Sequence, residues 1–216
     1  MAIRKDNVKT VADTRFVRVF DLQYEEGAHY YDASRRELEN IAAIKSENDF
    51  NSMLPDAVSG FLVIETPDSE PRLLLDYEYR YPTGQYMLSI PAGLVDESDK
   101  ESDQPLFTAM KREIYEETGI MLKVTDDIRM VNPLVFNSPG FTDECTALIA
   151  MTAHLDDLSE LNQKGAVGSE KFAGFLLATR EEVLRLLRDG KDPHGHRYPM
   201  VTWCAMMYFV SDLWKA

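Results

Sequence analysis

The sequence has little that could cross-link it covalently. Among its 216 residues only Cys145 and Cys204 are cysteines, which is too few for a disulfide framework, and they are not in a C-x-x-C spacing. We therefore expect two free thiols, as is usual in a reducing compartment. The chain is 44% hydrophobic and 28% charged, which is typical of a globular protein with an ordinary core.

Long apolar runs and excess positive charge are also absent. No stretch reaches the roughly 18 apolar residues of a membrane-spanning helix, and residues 1–6 lead into no apolar signal segment. The net charge of −14, from 37 acidic and 23 basic residues, opposes binding to DNA, RNA or anionic lipid. We therefore expect a cytoplasmic protein that binds neither membranes nor nucleic acid polymers. A small anionic ligand can still bind where arginines and divalent cations reverse the local charge.

The first fifty residues predict a small β-rich subdomain. A run rich in Val and Phe predicts a strand at 16–22, and further short strands are predicted at 29–33 and 38–44. A polar stretch follows and ends in Pro55. We place the division at residue 50, which gives a subdomain 1–50 and a main domain 51–216.

The main domain alternates strand and helix patterns. Strands are predicted at 58–64, 72–77, 86–90, 120–124, 131–136, 145–154 and 172–177. Helices are predicted at 106–118, with Asp103 or Gln104 as N-cap and Gly119 after the end, from a capping box at 179–182 to about Gly190, and at 199–214. The predicted fold class is α/β, with a mixed sheet packed between helices.

Three carboxylates share one face of the helix at 106–118. Glu113, Glu116 and Glu117 are spaced i, i+3 and i+4, so like charges lie side by side. A divalent cation would relieve this repulsion, and oxygen ligands without His or Cys favour Mg²⁺ or Mn²⁺. The alternative is an ordinary solvated acidic face.

The run Arg112-Glu113-Ile114-Tyr115-Glu116-Glu117-Thr118-Gly119-Ile120 resembles the second half of the Nudix hydrolase signature, G-x5-E-x7-R-E-U-x-E-E-x-G-U, in which U is apolar. Every defined position of this half matches. The first half departs from the signature, because Gly93 lies nineteen residues before Arg112 instead of fourteen and Gln104 stands where the family has Glu. Asp99, Glu101 or Asp103 could take the place of that glutamate.

Three further motifs, at 75–84, 90–96 and 138–144, are similar to the branch of the family that contains ADP-ribose and ADP-sugar pyrophosphatases. The resemblance implies an α/β/α sandwich whose N-terminal β subdomain contributes to a homodimer and to substrate contacts. It also implies hydrolysis of the diphosphate bond of ADP-ribose or an ADP-sugar with Mg²⁺, or else Mn²⁺, as cofactor. The products would be a nucleoside monophosphate and a sugar phosphate.

The same resemblance implies the site residues. It assigns the metal to Glu113, Glu116, Glu117 and the backbone carbonyl of Ala92. It makes Glu144 the general base, with Asp143 as second candidate, and it includes Arg112 among the catalytic residues. It assigns substrate binding to Arg80, which would hold a phosphate, and to Phe16, Tyr31 and Arg36, which would hold the base. Without the resemblance, Glu144 is an ordinary loop acid, Arg80 an exposed strand end, and the aromatic residues part of a core.

Two other functions stay open. One is hydrolysis of a different nucleotide, such as GDP-mannose, UDP-glucose or NADH, which keeps the mechanism and changes the pocket. The other is a catalytically silent nucleotide-binding protein, for which the insertion at 96–104 and Gln104 are the motivating features.

Overall fold

The computed structural model describes residues 3–166 and 168–215. The chain divides into two compact units. The first consists of Met1–Asp56 and Leu134–Thr146, and the second of Ala57–Pro133 and Ala147–Ala216. A segment from the middle of the sequence thus belongs to the N-terminal unit.

The first unit is built on a three-stranded antiparallel sheet in the order β1-β2-β3. Its elements are β1 (Val8–Asp13), β2 (Arg18–Glu25), β3 (Ala28–Ser34) and a short helix α1 (Glu47–Asn51). The strands predicted at 16–22 and 29–33 are confirmed as β2 and β3, with boundaries shifted by one to three residues.

The strand predicted at 38–44 is wrong. This segment forms two 3₁₀ turns, Leu38–Asn40 and Ala42–Ile44. Side chains three residues apart eclipse one another in a 3₁₀ turn, and Leu38, Ile41 and Ile44 all pack into the small core that contains Phe20. The spacing of three, not the apolar character of the run, determines the local structure.

The second unit contains the main sheet, in which the order β10-β5-β4-β9-β8 is extended by β6 beside β5 and β7 beside β4. The strands are β4 (Ala57–Glu65), β5 (Arg72–Arg80), β6 (Gln85–Ser89), β7 (Ala92–Leu94), β8 (Asp127–Phe136), β9 (Cys145–His154) and β10 (Phe172–Ala178). The helices are α2 (Pro105–Thr118), α3 (Arg180–Asp189) and α4 (Met200–Val210).

Helices cover both faces of this sheet. Leu74 on β5 packs on the side of α2, in a core that includes Met110 and Ile114. Its neighbours Leu73 and Leu75 point to the opposite face and pack in the core formed with α3 and α4. The predicted α/β sandwich is confirmed.

Local signals predicted the ends of α2 and α3 well, whereas α4 ends at Val210, before the predicted Trp214, and one strand was predicted badly. The capping box of α3 is present, with Thr179 accepting a hydrogen bond from the Glu182 N–H and the Glu182 carboxylate accepting one from the Thr179 N–H. The strand predicted at 120–124 is wrong, because Ile120 is buried beside α2 whereas Met121 and Val124 are exposed, so the run has no strand-like alternation.

Both cysteines are free thiols, as predicted. Within residues 3–166 and 168–215, no helix combines the length and the apolar character that crossing a membrane requires.

Gly119 and Gly190 end α2 and α3 with left-handed φ angles of 75° and 69°. A Cβ on Gly119 would lie 2.1 Å from Asn162 Nδ2 and 2.8 Å from the Glu160 carbonyl oxygen, whereas one on Gly190 would meet nothing within 4 Å.

We predict that Gly190→Ala lowers the free energy of unfolding by about 1 kcal/mol, because alanine is strained in the left-handed backbone conformation. Gly119→Ala should lose about 1–3 kcal/mol more through overpacking. Urea denaturation measures both, and equal losses would contradict the assigned contact.

Candidate active site

Helix α2 fixes the carboxylates of the signature. Pro105 occupies its first turn, and the Gly119 N–H donates to the Tyr115 carbonyl at its end. The wholly buried Ile114 orients the helix, so Glu113 and Glu117 are buried towards the sheet while the Glu116 carboxylate stays partly exposed. The helix therefore carries two carboxylates inward and one at the margin.

Strand β7 accepts the two inward carboxylates at close range. The Ala92 N–H donates to Glu117 Oε2 at 3.1 Å. A Cβ on Gly93 would lie 1.9 Å from Glu113 Oε1. Gly93 is required because only a residue without a side chain lets Glu113 lie against the strand.

Arg112 is the centre of an ion-pair network. Its guanidinium lies 2.7 Å from Glu113 Oε1, 3.1 Å from Glu116 Oε2 and 2.8 Å from Asp99 Oδ2, and it donates to the Leu94 carbonyl at 2.9 Å. Burial acts to raise the pKa of Asp99, but the hydrogen bonds from Arg112 and from the Asp96 N–H outweigh it and lower that pKa. The inserted segment 96–104 is therefore held against α2 through Asp99.

Strand β5 contributes carboxylates that sequence reasoning missed. Asp76, Glu78 and Arg80 alternate along it and so share the face that looks towards α2. Arg80 pairs with Glu78 at 2.5 Å and donates to Ser89 Oγ at 3.2 Å. Asp76 is 1% exposed, and neither of its carboxylate oxygens has a hydrogen-bond partner in the described part of the chain.

The carboxylates of α2 and β5 repel one another. Burial raises the pKa of Asp76 to about 8, with a further contribution from the charge of Glu78, and burial raises the pKa of Glu113 to about 7. The pKa of Glu117 is raised by burial and then by the charges of Asp76, Glu113 and Glu78. The spacing of Asp76 and Glu78 at i, i+2 was the available sequence signal.

This donor set fits a hard divalent cation. Asp76 and Glu117 are buried, have raised pKa values and form no ion pair within the described ranges, and oxygen ligands suit Mg²⁺. No group of three His, Cys, Asp or Glu side chains within the described ranges is already arranged as a metal site. Arg112 occupies oxygens of Glu113 and Glu116 instead.

The two candidate bases lie in the first unit and differ in environment. Asp143 is buried, its Oδ2 accepts the Ala42 N–H at 2.9 Å, and its own N–H donates to Asp32 Oδ1 at 3.0 Å. The Glu144 carboxylate is partly exposed, pairs with Arg35 and accepts from Asn137 Nδ2 at 3.2 Å. Glu144 is thus the one whose carboxylate reaches solvent.

The residues proposed to bind the base also differ. Phe16 and Tyr31 are exposed by 66% and 57%, so neither belongs to a core. The Arg36 guanidinium is nearly buried, 2.9 Å from Asp56 Oδ2, and it donates to the Leu54 carbonyl at 3.2 Å. Its Nη2 donates within the first unit, whereas its buried Nε has no hydrogen-bond partner among the described residues.

Several known proteins have related sequences. The chain is 28% identical over 163 residues to the ADP-ribose pyrophosphatase of Saccharomyces cerevisiae, a match that covers 75% of this chain and 62% of the relative. It is 29% identical over 140 residues to the ADP-sugar pyrophosphatase of Mus musculus, covering 64% of this chain and 60% of the relative. The chain thus spans about three-fifths of the length of these relatives. No family model matches it.

The fold also has a solved counterpart. A crystal structure of an ADP compounds hydrolase superposes with a TM-score of 0.56 over 96% of this chain and 91% of its own, at 19% identity, which shows a common fold. A Schizosaccharomyces pombe protein described as an uncharacterized Nudix hydrolase is 29% identical over 139 residues, covering 62% of this chain and 63% of its own. Sequence and fold together confirm the resemblance to the Nudix hydrolases and to their ADP-ribose and ADP-sugar pyrophosphatase branch.

Proposed function

We propose that this protein is a Mg²⁺-dependent pyrophosphatase that cleaves the diphosphate bond of ADP-ribose or an ADP-sugar into AMP and a sugar phosphate. The observation that carries the proposal is the cluster of buried carboxylates on α2 and β5, because a bound cation would relieve their mutual repulsion. The relatives named ADP-ribose pyrophosphatase and ADP-sugar pyrophosphatase support the substrate class.

Glu113, Glu116, Glu117 and the carbonyl of Ala92 would hold the metal, with Asp76 as an additional carboxylate. A divalent cation bound there would neutralise diphosphate oxygens and lower the pKa of an attacking water. The pairs of Arg112 with Glu113 and Glu116 would have to rearrange when these glutamates become ligands. Arg112 then keeps Asp99 as its partner, so it acts as a positioning residue.

The remaining roles follow from the exposed groups. The Arg80 guanidinium is 39% exposed, so it can exchange its pair with Glu78 for a bidentate contact with a phosphate. Glu144 is proposed to accept the proton of the attacking water, because its carboxylate reaches solvent and that of Asp143 is buried. Phe16 and Tyr31 offer exposed rings on which a base can stack.

The proposal predicts that the reaction requires a divalent metal and that replacing one glutamate of α2 by glutamine nearly eliminates it. With Mg²⁺ and ADP-ribose, the protein should release AMP and ribose 5-phosphate, and Glu117→Gln should lower the rate by more than about 100-fold, since a direct ligand matters more than its supporting groups. The variant should stay folded, because it removes a buried carboxylate whose ionisation is unfavourable. Product analysis by chromatography measures the reaction, and Glu181→Gln, at an exposed position of α3, is the matched control.

Two other results distinguish the alternatives. Faster turnover of ADP-glucose, GDP-mannose, UDP-glucose or NADH would keep the mechanism and correct the substrate. If nothing turns over and ADP-ribose binds equally well to the native protein and Glu117→Gln, the chain is a silent nucleotide-binding protein.

We also propose a homodimer formed through the first unit. Its sheet and the turn between β1 and β2 expose apolar side chains, among them Val11, Phe16 and Tyr31, each more than half exposed. Light scattering should give twice the monomer mass of 24.7 kDa. Phe16→Asp should shift the mass towards the monomer, while Met121→Asp, an exposed position of the second unit, should not. A monomeric mass of the native protein at all concentrations would refute the dimer.

A further inference from the structure

We infer that the first unit contains a second binding site, which takes a small planar ring bearing N–H donors, of the amidinium or amino-heterocycle class. The site is a cavity of about 260 Å³ whose lining includes Tyr30, Asp32, Phe50, Phe136, Phe141 and Asp143. All of these residues belong to the first unit. The inference does not depend on the proposed hydrolysis.

The walls of the cavity suit a flat ring. The rings of Phe50 and Phe136 lie nearly parallel, 5.4 Å apart at an interplanar angle of 10°. Tyr30 adds a third ring, which is fixed because its hydroxyl donates to the Gly140 carbonyl at 2.7 Å. Aromatic side chains form offset-stacked and edge-to-face contacts with other rings. These walls therefore favour an aromatic ligand over a flexible aliphatic one.

Two buried carboxylates give the cavity its polarity. Asp32 and Asp143 are 6% and 8% exposed. One oxygen of each has a backbone partner, since Asp32 Oδ1 accepts the Asp143 N–H and Asp143 Oδ2 accepts the Ala42 N–H. The other oxygens, Asp32 Oδ2 and Asp143 Oδ1, are buried and have no hydrogen-bond partner among the residues that the structure describes.

These unpartnered oxygens specify the chemistry of the ligand. An ionised carboxylate can only accept hydrogen bonds, so the missing partner must donate. A buried acceptor without a partner costs free energy, which a ligand with two N–H groups would offset. The negative charge of Asp32 and Asp143 favours a cation, although Arg36 Nε lies 3.8 Å from Asp143 Oδ2 and compensates part of it.

The size of the cavity limits the ligand to one small ring system. Pockets for drug-sized ligands measure about 300–1,000 Å³, and this one is somewhat smaller at about 260 Å³. It also exceeds by several-fold the roughly 30 Å³ that a water molecule occupies in the liquid. The ligand is thus a ring with a short donor group and not a whole nucleotide.

Binding here would also restrain the segment that carries Glu144. Residues 139–143 contribute to the cavity wall, and Thr142 Oγ1 accepts the Glu144 N–H at 3.0 Å. The Thr142 hydroxyl in turn donates to the Ala33 carbonyl on β3. A bound ring would therefore hold this segment in the conformation described here.

Benzamidinium is a suitable probe, because it joins one aromatic ring to a planar group with several N–H donors. Saturation-transfer NMR with the full chain should detect its binding, and benzoate and toluene should not bind. Asp32→Asn should weaken binding at least tenfold, since it converts the charged acceptor to a neutral amide yet keeps Oδ1 for the Asp143 N–H. The matched control is Asp21→Asn, on neighbouring β2, whose carboxylate accepts from Gln23 and lies outside the cavity lining.

The outcomes separate the possibilities. Equal binding of benzamidinium and toluene, or equal affinities of Asp32→Asn and the native protein, would overturn the site, as would no binding at all, which means that water alone fills the cavity. Phe50→Leu, which removes one wall, should also weaken binding and serves if Asp32→Asn does not fold. ADP-ribose added with EDTA tests whether the cavity is separate from the nucleotide site. Benzamidinium should stay bound, and its displacement would show that the cavity belongs to the nucleotide site and would overturn a second site.

Discussion

Repulsion among buried carboxylates is the constraint on which the rest of the second unit depends. Asp76 and Glu78 on β5 face Glu113 and Glu117 on α2, and burial raises the pKa of each, with a further increase for Asp76 and Glu117 from neighbouring carboxylates. Such a cluster costs free energy wherever it is buried. It persists because Leu73, Leu75 and the α3 and α4 residues on the opposite face of the sheet supply an independent core. Both Gly93 and Arg112 accommodate these charges. Gly93 leaves room for the Glu113 carboxylate, and Arg112 forms an ion pair with it.

The parts of the fold that could be predicted from sequence are those with local causes. Helix α2 follows from its apolar spacing and its terminal glycine, and α3 follows from its capping box. The carboxylates of α2 could be predicted for the same reason, since i, i+3, i+4 spacing fixes a face. The position of Asp76 and Glu78 beside α2 could not be predicted in this way, because it depends on how the sheet places β5 against that helix.

Non-local backbone contacts explain another feature that the sequence did not predict. Segment 134–146 joins the first unit because its backbone pairs with β3, where the Ala33 N–H donates to the Phe141 carbonyl. No pattern in the residues encodes such a pairing. Arg36 and Asp143 are residue types that suit ligands, yet each is nearly buried and already has a partner in the first unit, and each keeps one polar atom without a hydrogen-bond partner among the described residues. The residue type gives the available chemistry, and burial determines whether the group is free to perform it.

The central claim is that the carboxylates of α2 and β5 form one cation site. Calorimetric titration of the metal-free protein with Mg²⁺ tests it most directly, with Asp76→Asn compared against Asp157→Asn, which changes an exposed loop acid. We expect Asp76→Asn to weaken Mg²⁺ binding by about 10-fold or more while leaving the metal-free protein at least as stable, because Asp76 is buried without a partner. Unchanged Mg²⁺ affinity in Asp76→Asn would show that β5 takes no part in the site.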